Sequence, residues 1–271
     1  MTAHATMTAA GYSTMELMAV ALARDLRDGD VVRVGVAMPV AEAAVRLAHL
    51  LHGPNMELIF SGVQMNAADL GRFPMPEYGW DRRALVGVES YSDTGHRFDR
   101  VKDWHRHVFF VGGIQVDPFG NINLIGIGPD HRRLRFRGPG SVGTPTLTTH
   151  VGRYYIVLNT HTPRVLVERC DYVSAVGWHT GGAGARRALG LPGGGPRLCI
   201  TPLGVLDFHD DTRRLRVRSV HPGTSAAELQ ARTGFDLAIP PGVPATEPPT
   251  PDELHALRTR IDLAGVLRAR A

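Results

Sequence analysis

Apolar and polar positions alternate in blocks near the start of the chain, and these blocks predict a β-α-β unit. Apolar residues recur at helical spacing over 15–27, behind a capping Thr14, and again over 40–51. The runs at 31–36 and 57–60 are short and apolar, as expected of strands that are buried on both faces. Because the connections are short, the two strands are expected to be parallel with a right-handed crossover.

The rest of the pattern contains more short strands than helices. Apolar runs predict strands at 108–111, 122–127, 154–159, 165–167 and 173–174. Alternation over 198–217, broken by a polar turn at Asp210 and Asp211, predicts a β-hairpin. Short helices are predicted at 186–189, at 225–233 behind a capping box of Ser225 and Glu228, and at 251–260.

These elements together predict one fold class. It is an α/β protein with an open, mostly parallel sheet and helices on both faces, carrying a C-terminal β-hairpin and helices. Over 61–107, glycine, proline and aspartate interrupt every period, so loops with one or two short helices are expected. No repeat or linker divides the chain, which predicts a single domain over 14–271 after a flexible tail over 1–13.

Composition narrows the class of protein. The 271 residues are 43% hydrophobic and 21% charged, and the 30 basic residues nearly balance the 26 acidic ones. No basic run is interleaved with aromatic residues, so nucleic acid is not an expected partner. The apolar runs are too short for a bilayer and no signal peptide is visible, which predicts a cytoplasmic protein without membrane association. Cys170 and Cys199 lie beside apolar segments and are expected to be buried, reduced thiols.

Two motifs match known ligand sites by letter only. Gly138, Gly140 and Gly143 have the spacing of a dinucleotide-binding loop, but a proline and a run of threonines follow, so no helix is expected to begin there. These glycines stay candidates for close approach of the backbone to a ligand. His105 and His107 would place two imidazoles on one side of a strand, yet no carboxylate has the spacing of a metal ligand and no metal site is predicted.

Residues suited to ligand binding follow two of the predicted strands. Phe60, Ser61 and Gly62 lie at the carboxyl end of the second strand, where parallel α/β sheets bind their ligands. The segment after the third strand is the densest in such residues, with Gly112 and Gly113 for close backbone approach and polar side chains at Gln115, Asp117, Asn121 and Asn123. Amides of this kind stabilise an oxyanion or bind a pantetheine amide. The alternative is a type I turn braced by its own amides.

An arginine cluster follows at Arg132, Arg133, Arg135 and Arg137. It is either one solvated strand face or a contact for the phosphates of a nucleotide-containing ligand, with Arg135 and Arg137 as candidate ligand-binding residues.

Motifs of one known family occur in order along the chain. The strongest is GGIQVDPFGNIN at 112–123, and others stand at 15–18, 29–32, 135–138, 171–174, 189–192, 203–208 and 233–237. In this order they resemble the β subunit of family I CoA-transferases, of the glutaconate CoA-transferase type. The resemblance implies a coenzyme A thioester substrate with no tightly bound cofactor. It also implies an α-type partner subunit, in a heterodimer or an α2β2 assembly, with the active site between the two chains.

The chain departs from this family at Phe60. Family transferases have a glutamate there, which attacks the thioester and becomes a glutamyl-CoA thioester. Phenylalanine cannot do this; Glu57 lies about 10 Å away on the strand, and Glu89 falls in the loop region. The chain also resembles the β subunits of steroid ring-cleaving hydrolases, at 126–129, 164–168 and 219–223, which lack this glutamate and rely on a base in the α subunit.

The resemblance therefore implies hydrolysis or carbon–carbon bond cleavage or condensation of an acyl-CoA, or of an acyl-carrier thioester, with the catalytic base in the partner. Two alternatives stay open: a true CoA-transferase with its nucleophile elsewhere, and a non-catalytic CoA-binding or scaffold subunit.

Overall fold

The structure, a computed structural model, describes residues 11–35, 37–60, 64–67, 88–91 and 101–268. They fall into two compact units, one within Met1–Phe110 with Glu247–Ala271 and one within Val111–Thr246. Each unit is described by itself, and the single domain over 14–271 stays a prediction.

The first unit is built on a sheet whose strand order is β5-β1-β2-β3-β4. Its strands are β1 Val31–Val34, β2 Glu57–Phe60, β3 Gln64–Ala67, β4 Val88–Tyr91 and β5 His107–Val111. Strands β5, β1 and β2 are parallel, and β3 and β4 continue the sheet antiparallel. The register pairs Val34 with both Phe60 and Phe110. Phe60 therefore lies at the carboxyl edge of the parallel strands, as predicted.

Two helices of this unit were predicted closely. Helix α1 covers Thr14–Ala23 and helix α2 covers Pro39–Leu51, with a proline in its first turn. The predicted cap at Thr14 is wrong, because Ser13 is the N-cap and forms a capping box with Glu16. Helix α1 also ends four residues before the predicted position.

The prediction of loops over 61–107 is wrong for the described part of that segment. Strands β3 and β4 pair with each other and extend β2, and a 3-10 helix follows at Val101–Arg106. Neither strand has a clear apolar period, so only the pairing with β2 identifies them. Residues 61–63, 68–87 and 92–100 lie outside the described residues.

The second unit contains a four-stranded sheet and two small ribbons. The ribbon strands are β6 Gln115–Val116, β7 Ile122–Asn123, β8 Gly126–Ile127 and β9 Phe136–Arg137; the sheet strands are β10 Arg153–Val157, β11 Pro196–Thr201, β12 Gly204–Phe208 and β13 Leu215–Val220. Strands β10 and β11 are parallel, while β11, β12 and β13 are antiparallel neighbours. The predicted strands at 165–167 and 173–174 form only isolated bridges.

The predicted hairpin over 198–217 is in fact three strands. A second tight turn at Pro202 and Leu203 separates β11 from β12. Leucine in the turn continues the apolar pattern, which concealed the break. The polar turn at Asp210 and Asp211 lies where it was predicted, between β12 and β13.

Three short helices belong to the second unit, α3 Thr144–His150, α4 Ala185–Ala188 and α5 Ala226–Ala231. Helix α3 corrects the prediction that no helix begins after Gly143, because Pro145 lies in the first turn, where a missing N–H costs nothing. Ser225 caps α5 as predicted, but the Glu228 carboxylate pairs with Arg232 at 3.3 Å.

The C-terminal segment returns to the first unit. Helix α6 covers Pro251–Ala256 and continues as a π-helical turn over Leu257–Ile261. Arg258 binds the fully buried carboxylate of Glu16, and Arg24 binds Glu253.

The mostly parallel α/β class is confirmed by the parallel strands that both units contain. No helix in the described part of the chain is long and apolar enough to cross a membrane.

Candidate functional site

Phe60 is buried at the end of β2, with 4% of its surface exposed. The guanidinium of Arg46 on α2 lies 4.7 Å from the centre of its ring, and the arginine itself is 2% exposed. A cation over an aromatic face is attracted by the ring quadrupole, more strongly where water is excluded. The family nucleophile position is therefore occupied by a ring that covers a buried positive charge. Ser61 and Gly62 lie outside the described residues.

Arg46 is paired with Glu42, one helical turn earlier. Glu42 Oε1 accepts hydrogen bonds from Arg46 Nε at 3.1 Å and Nη2 at 2.9 Å. Burial raises the pKa of Glu42 and lowers that of Arg46, and their mutual attraction opposes both shifts. Sequence reasoning missed this pair, although an i,i+4 Glu–Arg pair on an otherwise apolar helix was a usable signal.

The four polar side chains predicted after β5 are brought together as a buried network. Asp117 Oδ1 accepts hydrogen bonds from the backbone N–H groups of Phe119 and Asn121, and Asp117 Oδ2 accepts from Asn121 Nδ2. Burial raises the pKa of Asp117, and these hydrogen bonds oppose the rise. Asn121 also donates to His179 O and accepts from Gly177 N–H. The Asn121 amide is thus fully used inside the chain.

Asn123 is engaged in the same way. Its Nδ2 donates to Gln115 Oε1 and to Gly126 O, both at 2.7 Å, and its Oδ1 accepts from two backbone N–H groups. These contacts favour the braced-turn alternative for Asn121 and Asn123, because neither amide keeps a hydrogen for a ligand.

Gln115 differs from these two asparagines. Its Oε1 accepts from Asn123 Nδ2 at 2.7 Å and from Asp171 N–H at 3.0 Å. Two donors on one atom fix which end of the amide is oxygen. Gln115 Nε2 donates to no acceptor within the described residues, so this amide is the donor of the network that is available to a ligand.

The candidate glycines are explained mainly by packing. A Cβ at Gly113 would lie 2.8 Å from Ile122, and one at Gly138 would lie 2.3 Å from Leu124 O. Gly140 has a positive φ of 90°, and Gly143 is the N-cap of α3. Gly112 alone of the set has neither constraint, since its nearest neighbour would be 3.7 Å away.

The arginine cluster lies on the ribbon of β8 and β9, and Arg132, Arg133, Arg135 and Arg137 are all exposed. Their exposure favours the solvated face over a built phosphate site.

The remaining candidate acids lie away from the end of β2. Glu57 is exposed at the opposite end of that strand, and Glu89 is exposed on β4 rather than in a loop. Cys170 and Cys199 are buried free thiols as predicted, and burial raises the pKa of both, that of Cys199 to about 12. A thiol held protonated is a weak nucleophile.

The two histidines of the letter motif are not together on a strand, which corrects that prediction. His105 lies in the 3-10 helix and His107 begins β5. His107 Nδ1 accepts a hydrogen bond from Arg33 Nε at 2.8 Å, and burial with this arginine lowers its pKa to about 3. The described residues contain no group of three or more histidine, cysteine or acidic side chains that could hold a metal ion.

Comparison with known proteins extends over nearly the whole chain. The family described as coenzyme A transferase matches residues 15–231. One of the subunits of the glutaconate CoA-transferase of Acidaminococcus fermentans is 33% identical over 264 residues, covering 93% of each chain. The cholesterol ring-cleaving hydrolase IpdB subunit of Mycobacterium tuberculosis is 30% identical over 251 residues, covering 91% of this chain and 94% of that one.

A solved structure agrees with these likenesses. Glutaconate coenzyme A-transferase from Acidaminococcus fermentans matches with a TM-score of 0.86 at 27% identity, covering 96% of this chain and 98% of that one. The resemblance seen in the motifs is confirmed. The named relatives include both a transferase chain and a hydrolase chain, so similarity alone does not choose the reaction.

Proposed function

Since this chain belongs to the coenzyme A transferase family, we propose that it is the β-type subunit of a heteromer that hydrolyses or cleaves an acyl thioester. The thioester is carried by coenzyme A or by an acyl carrier, and CoA is not transferred through a glutamyl intermediate. The observation that carries this proposal is Phe60, buried beneath Arg46 at the position where the family resemblance expects a nucleophilic glutamate.

The chemistry of the glutamyl route requires a carboxylate at this point. The carboxylate oxygen attacks the thioester carbonyl, the thiolate leaves, and the thiolate then attacks the resulting anhydride to give a glutamyl thioester. A phenyl ring supplies neither the oxygen nor the carbonyl for these two steps. Water is then the simplest acceptor of the acyl group.

In this proposal the α-type partner holds the base that removes a proton from water. The hydroxide formed attacks a carbonyl of the acyl group, and the electron pair moves onto that carbonyl oxygen. When the carbonyl re-forms, the carbon–sulfur or carbon–carbon bond breaks and its electron pair leaves with the departing group. The Gln115 Nε2 group supports a role for this chain as donor to a developing oxyanion, since it has no acceptor among the described residues.

A true CoA-transferase is the second candidate, and two observations favour it. The chain is 33% identical to a glutaconate CoA-transferase chain, and Glu42 is a carboxylate in the same buried cluster as Phe60. Its pairing with Arg46 makes it a poor nucleophile, because the guanidinium stabilises the anion. A scaffold role is the third candidate, and it requires nothing of Gln115.

The test uses the chain co-purified with its partner subunit and an acyl-CoA panel, measuring free thiol release and CoA transfer to acetate. We expect thiol or product release without transfer in the wild type, and no enzyme fragment trapped by borohydride, which reduces only a glutamyl thioester. Transfer to acetate by the wild type, with borohydride inactivation, would contradict the proposal and favour the second candidate.

Two variants separate the remaining candidates. Gln115→Leu should lower kcat by about tenfold or more if its amide binds the oxyanion, whereas a scaffold role predicts full activity. Asn123→Asp is the matched control for damage to the network, because it changes the brace while leaving Gln115 in the chain.

A further inference from the structure

The second unit contains a cavity that the proposed reaction does not use. Its volume is about 390 Å³, within the range of small-molecule sites. It is lined by β11, β12 and β13 and by the loop at Gly194 and Gly195. Charged side chains dominate the lining, with five arginines against two aspartates: Arg153, Arg197, Arg213, Arg216, Arg218, Asp207 and Asp210.

Two buried donors in the lining lack acceptors. Trp178 Nε1 and Arg213 Nε make no hydrogen bond within the described residues. The Arg213 guanidinium lies 4.6 Å from the centre of the Trp178 ring. Buried donors without acceptors are rare in folded proteins and unfavourable until a ligand or water supplies oxygen.

Positive charge exceeds negative charge in the lining. Asp207 accepts from Arg216 Nε at 2.8 Å and from Nη2 at 2.9 Å, so its carboxylate is committed to that one arginine. Asp210 is the other acid in the lining and is exposed. An excess of guanidinium groups in a concave site attracts multiply charged anions.

The Trp178 wall is held rigidly by the braced turn at Asp117–Asn121. Trp178 N–H donates to Phe119 O at 2.8 Å, and Gly177 N–H donates to Asn121 Oδ1 at 2.9 Å. A Cβ at Gly120 would lie 2.8 Å from Phe208, another lining residue. The cavity is therefore preformed, which reduces the entropy lost when a ligand binds.

We propose that this cavity binds a phosphorylated organic anion through bidentate guanidinium–phosphate contacts, with Trp178 N–H and Arg213 Nε as further donors. Planar guanidinium groups match the geometry of phosphate oxygens and stay charged at every physiological pH. The ligand is either the nucleotide end of a coenzyme A thioester or a separate phosphorylated metabolite. This site rests on its own charges and donors, not on the proposed reaction.

The first experiment titrates the full-length protein with inorganic pyrophosphate, followed by calorimetry and by Trp178 fluorescence. We expect saturable binding that weakens as salt rises, and a fluorescence change absent in Trp178→Phe. Arg213→Gln should weaken binding about tenfold or more. Arg214→Gln is the matched control, because Arg214 is adjacent, lies over Phe119 and does not line the cavity; it should change affinity by less than about twofold. Arg218→Gln serves if Arg213→Gln fails to fold.

The second experiment separates the two sources by adding adenosine 3′,5′-bisphosphate and acyl-CoA. Competition of both with pyrophosphate supports the nucleotide end of coenzyme A, and pyrophosphate binding unchanged by saturating acyl-CoA supports a separate metabolite. Absence of saturable pyrophosphate binding at millimolar concentration overturns the proposal, as do equal losses in the Arg213 and Arg214 variants. Loss of the partner subunit from Arg213→Gln without loss of pyrophosphate affinity also overturns it, since the cavity would then be a protein contact. Acyl-CoA turnover is scored separately, so failure of the proposed reaction leaves these outcomes readable.

Discussion

Arg46 is a charge with almost no contact with water, and it lies against one carboxylate and one aromatic ring. Its side chain is 3% exposed and that of Glu42 is 14% exposed. Removing both charges from water costs several kcal/mol for each ion, and only close pairing offsets that cost. The pair is therefore expected to stabilise the unit only as long as both partners are present.

Arg46→Met should cost about 3–5 kcal/mol of unfolding free energy, because it takes the guanidinium away from the buried Glu42 carboxylate. The double variant Arg46→Met with Glu42→Leu should recover most of this loss, measured by urea denaturation. Arg232→Met is the control: its i,i+4 pair with Glu228 is about half exposed and should contribute less than about 1 kcal/mol. Equal losses at the two sites would refute the burial argument.

Two buried histidines make stability depend on pH. His161 contacts Thr201 Oγ1 at 2.8 Å and Thr233 Oγ1 at 2.9 Å, and burial lowers its pKa to about 4. His221 is likewise buried, with a pKa of about 4. Both are neutral in the folded protein, whereas an unfolded histidine takes up a proton near pH 6.5.

Stability should therefore fall as the pH drops from 7 to 5, by about 2 kcal/mol for each of these histidines, since the unfolded state binds more protons. His161→Gln should flatten the slope by about half while offering groups that can bond both threonines. Denaturation at several pH values measures this. The control is exposed His255→Gln, and a wild-type slope retained by His161→Gln would contradict the assignment.

At the scale of elements, the loop Gly193–Gly195 passes too close to its neighbours for any side chain. A Cβ at Gly194 would lie 1.9 Å from Gly152 O, and one at Gly193 would lie 2.5 Å from Val151 O. The buried guanidinium of Arg186 on α4 donates to Gly193 O and Thr148 O and holds the loop in place. The loop and the cavity it lines are thus fixed by backbone contacts.

Gly194→Ala should destabilise the protein by about 2 kcal/mol or more and weaken pyrophosphate binding, because backbone atoms must move. Gly184→Ala is the matched control, since a Cβ there meets nothing within 4 Å and its φ is −91°; it should be nearly neutral. Thermal unfolding of both variants tests this, and a neutral Gly194→Ala would mean that the loop is free to shift.

Local patterns were enough for some elements and not for others. Helix α2 and strand β2 were predicted within one residue, because their periods and their flanking turns are local. Strands β3 and β4 were missed because pairing with β2 identifies them, and α3 was missed because Pro145 was taken as a barrier rather than a first-turn residue.

The same distinction applies to the site. The position of Phe60 followed from its place at a strand end, whereas a charged residue on a helix is ordinarily expected to face water, which concealed Arg46. The arginine cavity combines residues between Arg153 and Arg218, and no local window contains them together.

At the scale of the whole molecule, the chain's last helix completes its first unit. Arg258 donates to both oxygens of Glu16, which is fully buried, and to Gly11 O. Ser13 Oγ donates to Leu267 O, and Arg24 binds Glu253 at 2.7 Å. Segments about 240 residues apart in sequence are therefore joined by charge-assisted hydrogen bonds.

Arg258→Leu should cost about 2 kcal/mol of stability, since Glu16 keeps only its local donors while Arg258 itself is 30% exposed. Unfolding followed through Trp104, a core residue of the first unit, is the measurement. Arg260→Leu, two positions along and exposed, should be nearly silent. An equal effect of both substitutions would show that the ion pair contributes little.

This closure has a consequence for synthesis on the ribosome. Domains generally fold as they emerge, the N-terminal one first. Here the second unit is continuous in sequence, whereas the first needs residues that follow position 246. The order is therefore reversed: the unit translated first is completed last, and α1 with its buried Glu16 waits for release of the finished chain, a period in which a chaperone has most to protect.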